Sequence, residues 1–137
     1  MSWHRWNPQK LLNTSPFAWV GEYYKRDIQH FFNQMPPEKQ QAFLDQIKSD
    51  YRHILLNYFN SELEISQKIE HFINKAFCNN IPVPQIIKIH MELIDEFSKQ
   101  LKLEGRSDEI LLDYRLTLID ILAHLCEKYR FYINKQL

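Results

Sequence analysis

The sequence predicts an all-α protein, a bundle of four to five helices that pairs with a second copy about a two-fold axis. Three observations carry this. Glycine is nearly absent, with 2 residues in 137, where average usage gives about ten. Hairpins, barrels and phosphate-cradling loops all lean on glycine's left-handed backbone, so they are disfavoured. Apolar residues recur at spacings of three and four along most of the chain, the period of a helix buried on one side. Prolines, asparagines and serines punctuate the runs where helices start and stop.

Residues 1–16 stand apart as an extended arm or linker. They hold Trp3, Trp6, Pro8 and Pro16, with no acidic residue before Glu22. Two tryptophans in a tail point to packing against something. Residues 17–137 form the helical domain. A first helix is expected from Pro16, capped by Ser15, with Val20, Tyr24, Ile28, Phe31 and Phe32 on one side. Pro36-Pro37 ends it. A second begins at Pro37 and has the clearest period: Phe43, Leu44, Ile47, Tyr51, Ile54, Leu55, Tyr58 and Phe59. Ser61 with Glu64 makes a capping box for a third helix. Its apolar stripe is Ile65, Ile69, Phe72, Ile73, Ala76 and Phe77, and Asn79-Asn80 and Pro82 stop it. A fourth starts at Val83-Pro84 and carries Val83, Ile86, Ile87, His90, Leu93, Ile94, Phe97 and Leu101 inward. Gly105 sits where a left-handed C-cap belongs, and Ser107 caps the next helix.

The fifth helix, about residues 108 to 134, drives the dimer expectation. Of the 17 residues from Ile110 to Cys126, 12 are apolar or aromatic. Asp113, Thr117, Asp120 and His124, spaced 4, 3, 4, form one narrow polar stripe. A helix apolar round most of its circumference is buried on more than one side. A bundle of this size has one core, so the second side needs a partner, and a second copy is the simplest.

Seventeen basic residues balance 17 acidic ones, so the chain lacks the positive field that nucleic acid or an anionic membrane usually requires. The longest run without a charged side chain, Ala76 to Ile87, has 12 residues, short of the roughly 20 that span a bilayer. Without an apolar signal core or a CxxC pair, the chain reads as reduced and cytoplasmic. Asp27-x-x-His30 and Asp50-x-x-His53 imitate carboxylate–histidine metal ligands, but solvated surface pairs explain them better. His90-x-Glu92 lacks the cysteines of a zinc deaminase, and His90, on an apolar face, reads as a hydrogen-bonded core histidine. Cys78 and Cys126 lie in apolar contexts and read as buried. No serine sits on a glycine-flanked elbow. No catalytic residue, metal site or cofactor is expected. Asp120 and His124, one turn apart, fit either an intrahelical pair or the wall of a peptide groove.

The run Lys102-Leu103-Glu104-Gly105-Arg106-Ser107-Asp108-Glu109-Ile110-Leu111-Leu112-Asp113, continuing to Ala123-His124-Leu125-Cys126-Glu127, resembles the C-terminal domain of the KaiA family of cyanobacterial circadian clock proteins. Tyr23-Tyr24-Lys25-Arg26-Asp27, Ala76-Phe77 and Ile89-His90-Met91-Glu92-Leu93-Ile94-Asp95 fit as well, so the resemblance spans about residues 20 to 130. It implies a helical homodimer that binds the C-terminal tail of KaiC, a hexameric ATPase and autokinase, and so favours autophosphorylation. It also implies capture of the dimer by KaiB bound to KaiC. His124 occupies the position the family links to KaiC binding, and Phe77 falls in a functionally sensitive region. Longer members carry an N-terminal receiver-like domain for which this chain has no room, so it is expected to be a short form. The resemblance gives His124 for the tail groove, and helix geometry, with the fourth and fifth helices lining it, adds Met91, Asp95, Lys99, Lys102 and Asp120. The dimer seam falls at Leu111, Leu118, Leu122, Leu125 and Phe77. The alternatives are a dimeric KaiB/KaiC-binding module that does not stimulate, and a carboxylate–histidine metal-binding bundle.

Overall fold

The computed structural model describes residues 26–60, 62–106 and 111–136. Four α-helices follow two short 3-10 turns at Ile28–His30 and Phe32–Gln34. The helices are α1 (Pro37–Asn57), α2 (Glu62–Cys78), α3 (Val83–Leu103) and α4 (Tyr114–Gln136). Among the described residues there is no strand, and no helix is long and apolar enough to cross a membrane. Helix α2 packs on α1 and α4, α3 packs on the same two, and α1 also meets α4. One contiguous core runs through Ile47, Tyr51, Ile54, Phe72, Phe77, Leu93 and Ile121.

The first helix expected from Pro16 is not an α-helix where it is described. Phe31, at φ −65° and ψ 148°, is extended and separates the two 3-10 turns. Ile28, expected inward, is exposed, while Phe32 is buried. Anchoring explains the break. The Phe32 N–H donates to the Asn79 carbonyl at 2.6 Å, and Gln40 Nε2 donates to the Phe32 carbonyl at 2.9 Å. These bonds pin the segment between the start of α1 and the end of α2, and a continuous helix would place those groups differently. Ser15, Pro16, Val20 and Tyr24 lie outside the described residues.

Helices α1 and α2 match their patterns closely. Helix α1 opens with Pro37 in its first turn, where the missing N–H costs nothing, and buries Ile47, Tyr51, Ile54 and Leu55, with Tyr58 just beyond. All six stripe residues of α2, from Ile65 to Phe77, are buried. Asn80 ends α2 in the left-handed conformation at φ 52°, and the Ile81 N–H returns to the Ala76 carbonyl at 3.0 Å, a Schellman-type closure. Ser61, half of the expected capping box, lies outside the described residues.

Helix α3 buries Ile86, Ile89, His90, Leu93 and Leu101. Its inward face is rotated slightly from the expected one, since Ile89 is covered and Ile87 is exposed. Gly105 at φ 68° closes the helix, with the Arg106 N–H on the Leu101 carbonyl at 2.8 Å. Ser107 to Ile110 lie outside the described residues. Helix α4 starts at Tyr114, later than the expected 108, after a 3-10 turn at residues 111–112.

The orientation of α4 reverses the simplest amphipathic reading. The stripe members Thr117 and Asp120 are buried, while Leu112, Ile119 and Ile133 stand 54%, 49% and 55% exposed. Asp120 faces inward because a buried hydroxyl and an imidazole compensate its charge there. The apolar residues opposite stay exposed among the described residues. Cys126 lies on that outer side and is exposed, not buried as expected. Cys78 is half-buried.

Candidate functional site

The polar cluster forms where the end of α1 meets α4. Asp120 and His124 are one helical turn apart, which stacks them on one face. His124 Nδ1 lies 2.9 Å from Asp120 Oδ1 and 2.8 Å from the Asp120 carbonyl. The second carboxylate oxygen, Oδ2, accepts from the Tyr58 hydroxyl at 2.7 Å. Tyr58 is fully buried, so the carboxylate is held at both oxygens by groups with little freedom. The His124 side chain remains 35% exposed and that of Asp120 10%.

Burial alone would push the His124 imidazole down. The hydrogen bonds to the Asp120 carboxylate and carbonyl, with the negative charges of Asp120 and Glu70, outweigh it and hold His124 above its ordinary value. Thr117, one turn before Asp120, is fully buried, and its hydroxyl has no hydrogen-bond partner among the described residues.

The polar face continues past His124. Lys128, the next turn along, is buried; its ammonium donates to Asn74 Oδ1 and lies 5.6 Å from the centre of the Phe77 ring. Beyond it an aromatic cage closes the end of the bundle. The Arg26 guanidinium stands 4.7 to 5.2 Å from the ring centres of Phe31, Phe77, Tyr129 and Tyr132. It also donates to the Phe77 carbonyl at 3.1 Å and to the Asn80 side chain. Sequence reasoning missed Tyr58, Lys128 and Arg26. The spacing 117, 120, 124 extends by four to 128, so Lys128 was within reach of the pattern. Tyr58 is indistinguishable in sequence from its apolar neighbours on the stripe.

The other expected groove residues lie on the outer face of α3. Met91 is 60% exposed, Asp95 and Lys99 pair at 3.0 Å in solvent, and Lys102 is exposed. Among the described residues no hydrogen bond or ion pair joins these four to Asp120 or His124. Of the expected seam residues, Leu111, Leu118 and Leu122 are half-buried and retain surface. Phe77 and Leu125 are 0% and 1% exposed in the single chain. Their surface is spent on its own core, where Phe77 meets Tyr129 and Tyr132 edge-on.

His90 is a core residue, as expected. It is buried, shares a 2.6 Å hydrogen bond with the Tyr51 hydroxyl, and burial pushes its imidazole down. Among the metal-like pairs, His30 and Asp27 stand 4.0 Å apart in solvent. Asp50 and His53 line a cleft of about 300 Å³ with Glu64, Lys68 and His71. Asp50 is already engaged by Lys75 at 2.9 Å. Among the described residues no three His, Cys, Asp or Glu side chains converge as a metal would need.

A sequence profile of the KaiA C-terminal domain matches residues 16–136. The circadian clock oscillator protein KaiA of Nostoc sp. strain PCC 7120 is 70% identical over 96 residues, covering 70% of this chain and 94% of that protein. The protein of the same name from Thermostichus vulcanus is 53% identical over 119 residues, 87% of this chain but 42% of its own length. The chain thus spans about two fifths of such longer relatives. Among solved structures, the C-terminal domain of Thermosynechococcus elongatus BP-1 KaiA superposes with a TM-score of 0.62 at 56% identity, covering 72% of this chain and 93% of that one. KaiA from PCC7120 superposes at 0.58 with 65% identity, covering 66% and 92%.

Proposed function

We propose that this chain, which belongs to the KaiA C-terminal domain family, binds the C-terminal tail of KaiC and stimulates KaiC autophosphorylation without catalysing a reaction itself. The family match over residues 16–136 carries the reading. The arrangement at His124 supports it. The ring is partly exposed and held from behind by Asp120, at the position that the sequence resemblance links to KaiC binding.

Dimerisation supplies the rest of the groove. The outer face of α4, with Ile119 and the half-buried Leu118 and Leu122, is the surface for a second copy. Joining two copies there covers apolar surface that a single chain leaves in water. Met91 adapts to a varied ligand, and Asp95, Lys99 and Lys102 set the register of a charged tail. KaiB bound to KaiC removes the stimulus by capturing the dimer. No cofactor enters this scheme, and it operates in the cytoplasm.

Replacing His124 with Ala tests the assignment. The expected result is tail-peptide affinity at least about tenfold weaker, the scale of one charged hydrogen bond, with helical content and dimer unchanged. Unaltered affinity contradicts it. A second reading is a dimeric module that binds KaiB and KaiC without stimulation. A KaiC phosphorylation assay separates the two.

A further inference from the structure

The surroundings of His124 fix which nitrogen carries its proton. Nδ1 faces two acceptors, the Asp120 carboxylate at 2.9 Å and the Asp120 carbonyl at 2.8 Å. Neither has a proton to give, so Nδ1 must donate. Nε2 has no partner among the described residues, and it is not among the sealed polar atoms. It therefore reaches solvent. The carboxylate cannot easily swing away, because Tyr58 donates to its other oxygen at 2.7 Å from a fully buried position.

We propose that Tyr58 and Asp120 are positioning residues that lock the His124 ring with its proton on Nδ1 and Nε2 outward, so that the protonated ring offers one N–H to an acceptor oxygen of the bound peptide. That oxygen is a backbone carbonyl or a carboxylate. When the ring is neutral, Nε2 carries a bare lone pair that repels the same oxygen. Among the described residues, the groups facing the ring are few. Asp120 lies on its own helix, Glu70 approaches from α2 and the Tyr58 hydroxyl from α1, while Lys128 on α4 is turned to Asn74. The two carboxylates favour the charged ring, which extends its donor state toward neutral pH.

The inference takes the identity of the peptide from the KaiC-tail reading, and its test separates the two. Imidazole nitrogen NMR on the wild-type chain without peptide should show Nδ1 protonated and Nε2 bare at alkaline pH. A proton on Nε2 there overturns the lock. Titration of a synthetic KaiC C-terminal tail peptide from pH 6 to pH 9 should weaken binding about tenfold as the charged hydrogen bond is lost. Tyr58→Phe, which keeps the ring and removes the donor, should displace that pH profile while helical content stays. Binding that is independent of pH, or a Tyr58→Phe profile identical to wild type, overturns the proposal but leaves the tail reading intact. A wild-type chain that does not bind the tail peptide at any pH overturns the tail reading, and the proton position still decides the lock. A steep salt dependence identifies the acceptor as a carboxylate, and a shallow one as a backbone carbonyl.

Discussion

Removing one hydroxyl from the centre of the bundle should cost far more than its size suggests. Tyr51 and His90 are 0% and 4% exposed, share a 2.6 Å hydrogen bond, and stack edge-on at 5.7 Å. Tyr51→Phe keeps the ring contacts with Phe72 and leaves His90 Nδ1 buried without a partner. A buried polar atom stranded in this way costs about 2 kcal/mol, which in a domain of this size lowers Tm by about 8 °C. His90→Leu alone strands the Tyr51 hydroxyl and should cost a similar amount. The double variant replaces both partners with apolar groups and should recover most of the loss, because nothing buried is left unpaired.

The same pair sets a pH dependence. Burial holds the folded His90 imidazole below its ordinary value, so below about pH 6.5 the unfolded chain binds the extra proton first. Its contribution is complete above about pH 6.5 and is lost as pH falls through the folded value. His124 has the opposite sign. Its raised value gives stabilisation that is full below about pH 6.5 and fades as pH rises through the folded value. Denaturant titrations of wild type and both single variants from pH 5 to 8 measure these terms. A Tyr51→Phe variant as stable as wild type, or a double variant as weak as the sum of the singles, would refute the reasoning.

Three further outcomes follow from the same geometry. Thr117→Val removes a buried, unpartnered hydroxyl while keeping the branched shape. It should stabilise the fold by about 1 kcal/mol; a drop in Tm would mean that the hydroxyl has a partner. Arg26→Met empties the four-ring cage and removes one of the hydrogen bonds to the Phe77 carbonyl and one of those to the Asn80 side chain, which keep the Asn80 N–H and the Tyr129 hydroxyl as donors. It should cost about 2 kcal/mol, and because Arg26 holds Asn80 next to the Asn79 carbonyl that accepts from Phe32, it should speed hydrogen exchange at the Phe32 amide; unchanged exchange there would contradict this. Ile119→Asp places a charge on the outer face of α4 and should convert the proposed dimer to monomer in sedimentation without loss of helicity. A persisting dimer would move the seam elsewhere.

The helices were legible in sequence wherever one face alone is buried. The α2 stripe from Ile65 to Phe77 was complete, because that helix has a single apolar side and strong end signals at Asn79-Asn80. The Gly105 closure was legible for the same reason, since only glycine enters the left-handed region cheaply. Helix α4 was only half legible. Its composition announced two apolar sides, but periodicity cannot say which side the core takes when a polar stripe can be satisfied internally. The core took the stripe, because Tyr58 offers Asp120 a buried hydroxyl and Asn74 offers Lys128 a side-chain oxygen. Those partners are 62 and 54 positions away in sequence, beyond the reach of any local pattern. The described end of the expected first helix is replaced by 3-10 turns because Phe32 is fixed by the Asn79 carbonyl and the Gln40 side chain, which residue types do not record. Of the site, the Asp120–His124 pair was readable from its four-residue spacing. The residue behind it, Tyr58, was hidden among apolar neighbours.

The proposed stimulation of KaiC is read from the phosphorylated fraction of purified KaiC. KaiC is incubated with ATP, with and without the chain, and resolved on a phosphate-sensitive gel. A clear rise in phosphorylated KaiC is expected with the wild-type chain, and little or none with His124→Ala. An unchanged fraction with a folded wild-type chain that still binds the tail would contradict it, and would assign the chain to binding without activation.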